Sequence, residues 1–503
     1  MENLKGKLKK FLIKNKYNIC ILLVMIIFTC IICTNFIKTH FALDTYCVYA
    51  HDANMQIKHF LVSNRIFSAF ARWVSMVLDI SFFKYMKLLN LAGVVFLAVS
   101  WFVLYKFVVI IKKKQSDVFY NILIAGISFC IIYNFCTVES LLFWESGIMC
   151  LGILCTIIAS CVFNSNIKYK KLISFLVLLI GSTCYQGAIT VYIPLTLILL
   201  AYKNKESIKD IFIESIKVGF IYIFVMIINL LATKIFSNIF NYEFRKMDVL
   251  SIPEMFNTVV RLGYDMLVKT FGIGPKYWYI FTITIISVIF LICIFKKQKS
   301  KFHIFEYIVL LASCIIVPIL PMLATPVENQ YIETRMAMSF GSSIGILILF
   351  LVLVVEVDKY NILKGLTTML ISFMILLNAM YYIIAASENL ATNYLDRNIA
   401  KTIIKEIYDY EKETNIKVKN IGVTFDKNPT NHYDGQRWLG AITTRSMGTE
   451  WAAIETIELY SGEHFNQLEV PNEYKEEFLQ KDWEFFDKEQ LIFVENNLYI
   501  CLY

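Results

Sequence analysis

The chain has 503 residues, of which 57% are hydrophobic and 17% are charged, and its formal net charge at pH 7 is +8. A mean hydropathy of +0.59 together with many long apolar runs excludes a soluble globular protein and indicates a multi-pass membrane protein. The lysines stand in short clusters between the apolar runs, so the positive charge does not indicate a nucleic-acid-binding protein.

The apolar runs predict roughly eleven transmembrane helices, since a span needs about 20 apolar residues. In chain order they are 18–37, 86–111, 119–137, 143–163, 172–184, 187–202, 213–238, 277–295, 304–324, 338–357 and 365–386. The pair 172–184 and 187–202 is short, so the turn between them is expected below the outer surface. A turn that lines a cavity and a tightly packed hairpin are both compatible with this pattern.

The charges predict the topology. Lysine clusters fall at 1–16, 112–114, 168–171, 203–209, 296–301 and 359–364, all on one side of the membrane if the helix count is right. From Ser387 onward there are 12 Lys and Arg against 21 Asp and Glu, whereas the rest of the chain has 36 and 19. The N-terminus is therefore expected in the cytoplasm and the acidic tail outside.

Two domains are predicted. Residues 1–386 form a transmembrane domain with outer loops at 38–85 and 239–276, and residues 387–503 form a small extracytoplasmic α/β domain. In this tail the pattern predicts a helix over about 389–413, a strand over 418–425, a helix over 448–459 and a closing hairpin over 491–494 and 498–502.

The first outer loop carries an amphipathic pattern. Apolar residues recur every seven positions at Phe60, Phe67 and Val74, and basic residues recur at the same spacing on the opposite face at His51, Lys58, Arg65 and Arg72. The spacing predicts one helix that lies in the membrane interface and holds its arginines at the height of the lipid headgroups.

Polar residues expected at the outer surface are the candidates for a site, because ionisable groups at membrane level are costly. They are Asp44, Asp52, Arg65, Arg72, Glu139, Glu145, Glu328, Glu333 and Arg335, with Tyr185 and Gln186 between them. A carboxylate can take the proton of an acceptor hydroxyl, and arginines can bind a lipid phosphate and stabilise it as it leaves. Three alternatives remain open. They are contact with lipid headgroups for Arg65 and Arg72, a solvated loop for Asp52, Glu328 and Glu333, and structural pairing for Glu139 and Glu145.

No cofactor is expected, because His and Cys show no spacing suited to zinc and no Ser-His-Asp pattern stands out. A divalent metal is left open.

The order of these features resembles the O-antigen-modifying (Gtr-type) membrane glucosyltransferases, which are GT-C-like enzymes. Members carry an acidic pair after the first span, a Gly-Arg near the start of an interfacial helix, a Tyr-Gln at the mid-chain hairpin and an arginine that opens a late span. The matching positions here are Asp44-Thr45, Asn64-Arg65, Tyr185-Gln186 and Arg335. Two of them depart from the family pattern, since the second acid is Thr45 and the glycine is Asn64.

The resemblance implies a GT-C-like enzyme of the bacterial cell membrane that moves a hexose, glucose in this family, from a polyprenyl-phosphate carrier to a cell-envelope glycan. It implies that Asp44 is the catalytic base and that Arg65 and Arg335 bind the donor. Its partners would be the donor, the glycan acceptor, membrane lipids, a small flippase and a polyprenyl-phosphate sugar synthase. The missing second acid leaves open whether Asp44 acts alone or with Asp52 or Glu139.

Two other classes compete with this interpretation. A polysaccharide polymerase or ligase also uses outer arginines on many spans, but the early Asp44 and the large terminal domain favour the hexosyltransferase. A transporter or flippase is expected to show inverted repeats and charges at the midplane of the membrane. Neither is evident in the sequence, where the charges gather at the outer rim.

Overall fold

The computed structural model describes residues 16–50, 52–113, 117–203, 208–241, 250–269, 277–297, 302–356, 360–426, 445–481, 483 and 486–502. Within these ranges the chain has two separate large hydrophobic cores. The first unites apolar side chains from Met25 to Ala386, and the second unites side chains from Ile399 to Leu502.

Up to Thr414 the described elements are helices. They are α1 (Lys16–Ile32), α2 (Leu43–Ala50), α3 (Ala53–Val62), α4 (Ile66–Val77), α5 (Phe82–Lys112), α6 (Val118–Ile132), α7 (Phe135–Val138), α8 (Ser146–Phe163), α9 (Lys170–Cys184), α10 (Tyr192–Lys203), α11 (Ile208–Phe240), α12 (Ile252–Lys269), α13 (Trp278–Lys297), α14 (Phe302–Ile316), α15 (Met338–Phe350) and α16 (Asn361–Thr414).

Seven helices in the described ranges are long and apolar enough to cross a membrane, which agrees with a helical membrane protein. They are α5, α8, α11, α13, α16, and α14 and α15 with the turns that continue them. An eighth span results if α6 and the bent segment Phe135–Leu141, inclined at 54°, are counted together. Every predicted apolar run lies on a helix, but three of them form only the short helices α1, α9 and α10, so the count of eleven stays a prediction.

The bend after α6 has a local cause. Asn134 caps α7, accepting hydrogen bonds from the backbone N–H groups of Cys136 and Thr137, while the Thr137 hydroxyl accepts one from the Asn134 N–H. This capping box ends one helix and starts another, and it directs the chain towards Glu139. Helix α15 crosses closely here, since a Cβ on Gly341 would lie only 2.2 Å from Asn134 Oδ1.

Helix α16 runs unbroken for 54 residues, about 80 Å at 1.5 Å per residue, and connects the two cores. The predicted domain boundary at residue 387 falls inside it. Beyond α16 the elements are β1 (Asn420–Phe425), α17 (Glu450–Ser461), β2 (Asn466–Leu468), α18 (Asn472–Phe478), β3 (Leu491–Val494) and β4 (Asn497–Leu502). The four strands form a sheet of order β2-β1-β4-β3, in which β3 pairs antiparallel to β4 and the other pairings are parallel.

The ends of the helices differ in chemistry. Lys112, at the end of α5, lies 4.0 Å from Glu356 and faces the ring of Tyr202, and Lys203 donates to the Asn164 carbonyl. The other end of α5 begins with Phe82, which packs with Tyr46 and Trp144. Because α5 is about 46 Å long, these lysines and the loops around Asp44 lie at opposite ends of the helical part.

Candidate functional site

The loop predicted over 38–85 contains three short helices before α5, so the prediction of one continuous amphipathic helix is wrong. Asp52 is the N-cap of α3, and its side chain accepts a hydrogen bond from the Met55 N–H at 2.7 Å. Asn64 separates α3 from α4 with φ at 55°, a left-handed conformation that glycine and asparagine adopt most readily. Of the predicted basic face, His51 lies outside the described residues.

The turn at Asn64 directs the side chain of Arg65 towards the start of α8 and the hairpin after α9. Its Nη1 donates to Glu145 Oε1, and its guanidinium lies 5.4 Å from the ring centroid of Tyr185. The Glu145 side chain is almost completely buried, whereas that of Arg65 is one-quarter exposed. The guanidinium of Arg65 is therefore accessible, while the carboxylate of Glu145 that balances its charge is buried.

Arg335 repeats this arrangement with Glu139. Its Nη1 lies 2.5 Å from Glu139 Oε1, its backbone N–H donates to Glu139 Oε2 at 2.6 Å, and its guanidinium lies 4.5 Å from the ring centroid of Phe143. Burial lowers the pKa of Arg335, but the negative charge of Glu139, with a smaller contribution from Asp44, outweighs it and raises the pKa above its ordinary value. Arg335 is therefore a fixed cation, and Asp44 lies near enough to act on it.

Both arginines line one cavity of about 200 Å³. The cavity lies between the α3–α4 turn, the hairpin after α9, the middle of α11 and the segment from Pro318 to Met336. Tyr185, Gln186 and Gly187 line it too, which places the short hairpin beside a cavity. Two guanidinium groups and a phenol that meet in a small space suit a ligand that carries an anionic group.

The hairpin is fixed against both arginine segments. Gln186 Nε2 donates to the Ser63 carbonyl at 2.9 Å, which ties the hairpin to the turn before Arg65. A Cβ on Gly187 would lie 2.7 Å from the Arg335 carbonyl oxygen, so only glycine allows this approach. The three segments that form the cavity thus hold one another in place.

Asp44 lies in the first turn of α2 and is half-buried. The segment before it is clamped on α16, because Asn393 Oδ1 accepts from the Phe41 N–H at 2.7 Å and Asn389 Nδ2 donates to the Phe41 carbonyl at 3.0 Å. Helix α17 of the tail packs on α2, where Tyr460 joins the cluster around Tyr46. Asp44 is thus held near Arg335 but does not line the cavity itself.

Arg72 and Asp52 lie apart from the cavity. Arg72 is buried, donating from Nε to Gln56 Oε1 at 2.6 Å and from Nη1 to Ser75 Oγ at 2.9 Å. Asp52 serves as a helix cap. The exposed face of α4 is instead apolar, formed by Phe70, Trp73, Met76 and Val77. Of the predicted phosphate binders, the structure brings together Arg65 and Arg335.

A buried amide of the cavity was missed by the sequence analysis. Asn229 is buried within the apolar helix α11 and lines the cavity. An amide in the middle of a long apolar run was the signal that marked it. Among the described residues, no group of three or more His, Cys, Asp or Glu side chains is arranged to hold a metal ion.

Fold and site together define a helical protein with membrane-spanning character and a polar cavity that is lined by two arginines, each backed by a buried glutamate. Comparison of the chain with protein-family models, with curated proteins and with solved structures gives no match.

Proposed function

We propose that the protein is a GT-C-like hexosyltransferase that moves a hexose from a polyprenyl-phosphate carrier to a cell-envelope glycan at the outer face of the membrane. One observation carries the proposal. Arg65 and Arg335, which lie 270 positions apart in the chain, line the same cavity, and the charge of Asp44 acts on Arg335. Two fixed cations and a nearby carboxylate are the groups that a transfer from a lipid phosphate requires.

The proposed reaction is a direct displacement. The acceptor hydroxyl attacks the anomeric carbon of the hexose, and Asp44 takes its proton. The bond between the anomeric carbon and the phosphate oxygen breaks, and its electron pair leaves with the polyprenyl phosphate. Arg65 and Arg335 stabilise the charge that develops on this leaving group, while Glu139 and Glu145 keep both guanidinium groups in place.

A second cavity supports a lipid-linked donor. It has a volume of about 820 Å³, is lined almost entirely by apolar side chains, and lies between α10, α11 and α14. The polar cavity borders α11 further along, at Met226 to Thr233, whereas the apolar one borders it at Lys209 to Gly219. A donor with its phosphate at the arginines would find an apolar surface along the same helix for its hydrocarbon chain.

The test is an assay for the leaving group. Purified protein in lipid nanodiscs receives a polyprenyl-phosphate hexose with and without a cell-envelope glycan. Release of free polyprenyl phosphate is expected only when the glycan is present, together with a glycan that is heavier by one hexose. Transport of intact donor across vesicle membranes, or addition of a longer glycan, would instead favour the flippase or the polymerase.

The proposal includes a topology in which the N-terminus is cytoplasmic and the acidic tail, residues 387–503, lies outside. Protease added to intact cells should remove the tail and spare the loop at Lys112 to Lys114, because only the tail is then accessible. Cells opened by mild detergent are the control, in which both regions should be cut. Protection of the tail in intact cells would contradict the proposed side of the site.

A further inference from the structure

Some buried polar atoms without a hydrogen-bond partner belong to residues that line the polar cavity or contact a residue that lines it. Within the described residues they include Nε of Arg65, Oε2 of Glu145, Oδ1 of Asn64 and Nδ2 of Asn229. A buried polar atom that makes no hydrogen bond is unfavourable, so protein interiors rarely retain one without a reason. Two of them, Nε of Arg65 and Nδ2 of Asn229, belong to residues that line the cavity, where a ligand can supply their partners.

Two of these atoms belong to a pair of asparagines. Asn64 Nδ2 donates to Asn229 Oδ1 at 2.6 Å, and Ser182 Oγ lies 3.1 Å from the same oxygen. Asn64 stands between Ser63 and Arg65, both of which line the cavity, and Asn229 lines it directly. Their exposed fractions are 1% for Asn64 and 4% for Asn229.

The hydrogen bond between the two amides leaves one donor group and one acceptor group of the pair without a partner. Asn229 Nδ2 retains its hydrogens, and Asn64 Oδ1 retains its lone pairs. If both amides were turned over, the remaining groups would again be one donor and one acceptor. The pair therefore has the same chemical character in either orientation.

A phosphate oxygen satisfies only the donor, because it has no hydrogen to give to Asn64. A hydroxyl both donates and accepts, so a single hydroxyl can satisfy both amides. We propose that Asn64 and Asn229 bind one hydroxyl of the hexose, while Arg65 and Arg335 bind the phosphate. This inference rests on the proposed function and names the part of the donor that these residues recognise.

The experiment compares two lipids on the full-length protein in nanodiscs. Binding of undecaprenyl phosphate and of undecaprenyl-phosphate glucose is measured for the wild type and for Asn229→Leu. The variant is expected to bind the sugar-bearing lipid on the order of tenfold more weakly, because it loses the hydrogen bonds to the hydroxyl. Its affinity for undecaprenyl phosphate should not change.

The matched control is Asn378→Leu, which replaces a buried amide in the apolar part of α16. It should bind both lipids as the wild type does. Deoxy analogues of the glucose lipid give a second measurement on the wild type alone, in case Asn229→Leu does not fold. Loss of one particular hydroxyl should weaken binding about tenfold, and Asn229→Leu should not weaken that analogue further.

The outcomes separate the two levels of the proposal. If the wild type binds both lipids and Asn229→Leu weakens both equally or neither, or if every deoxy analogue binds like the parent lipid, the asparagines do not recognise a hydroxyl and the proposed function stands. If the wild type binds neither lipid, the donor class is wrong and the inference falls with it.

Discussion

Asp44→Asn is expected to reduce hexosyl transfer on the order of 10²-fold or more, the range that general bases contribute. The substitution keeps the size of the side chain and its ability to accept hydrogen bonds, but it removes the proton acceptor. Asp44 does not line the cavity, so binding of the polyprenyl-phosphate hexose should remain close to that of the wild type. Turnover with saturating donor and a separate measurement of donor binding check both parts.

The matched control is Asp52→Asn in the same loop. Asp52 accepts a hydrogen bond from the Met55 N–H as the cap of α3, and asparagine caps helices equally well. This variant should keep its turnover. Near-normal turnover of Asp44→Asn together with loss of turnover in Asp52→Asn or Glu139→Gln would show that another acid is the base.

Glu139→Gln is expected to lower the free energy of unfolding by about 3–5 kcal/mol, the usual cost of removing one partner of a buried ion pair. The Glu139 side chain is fully buried, and its two oxygens accept from the guanidinium and from the backbone N–H of Arg335. Glutamine keeps the volume but leaves the largely buried cation without its counter-charge. Unfolding by denaturant in detergent measures the loss.

The control for this substitution is Glu333→Gln. Glu333 lies 4.0 Å from the same guanidinium, but its side chain is 26% exposed, so its removal should cost about 1 kcal/mol or less. The double variant Glu139→Gln/Arg335→Gln should regain part of the lost stability, because no unpaired charge then remains. Equal stabilities of Glu139→Gln and Glu333→Gln would contradict the buried ion pair.

The helices of the apolar part were predictable because long apolar runs have one main solution in a membrane. The break at Asn64 was not, since the seven-residue spacing of Phe60, Phe67 and Val74 continues across it. The periodicity indicates which face of a helix is apolar, but it does not reveal a single residue with a left-handed backbone conformation. The adjacent Ser63 and Asn64, both common in turns, were the local signal.

The convergence of Arg65, Tyr185, Gln186 and Arg335 followed from placing all of them on one side of the membrane. The partners of the arginines did not follow, because Glu145 lies 80 positions from Arg65 and Glu139 lies 196 positions from Arg335. Such pairings are set by how the helices pack, and a single sequence contains no record of that packing. The burial of Arg72 was missed for the same reason, since its partner Gln56 lies on a different helix.

The most direct test of the central claim is the structure of the full-length protein in nanodiscs with an intact polyprenyl-phosphate hexose, solved without acceptor. The phosphate is expected in the polar cavity, within hydrogen-bond distance of the guanidinium groups of Arg65 and Arg335, with the hexose on the side of Asn229. A phosphate bound elsewhere, with both arginines paired only to Glu145 and Glu139, would contradict it.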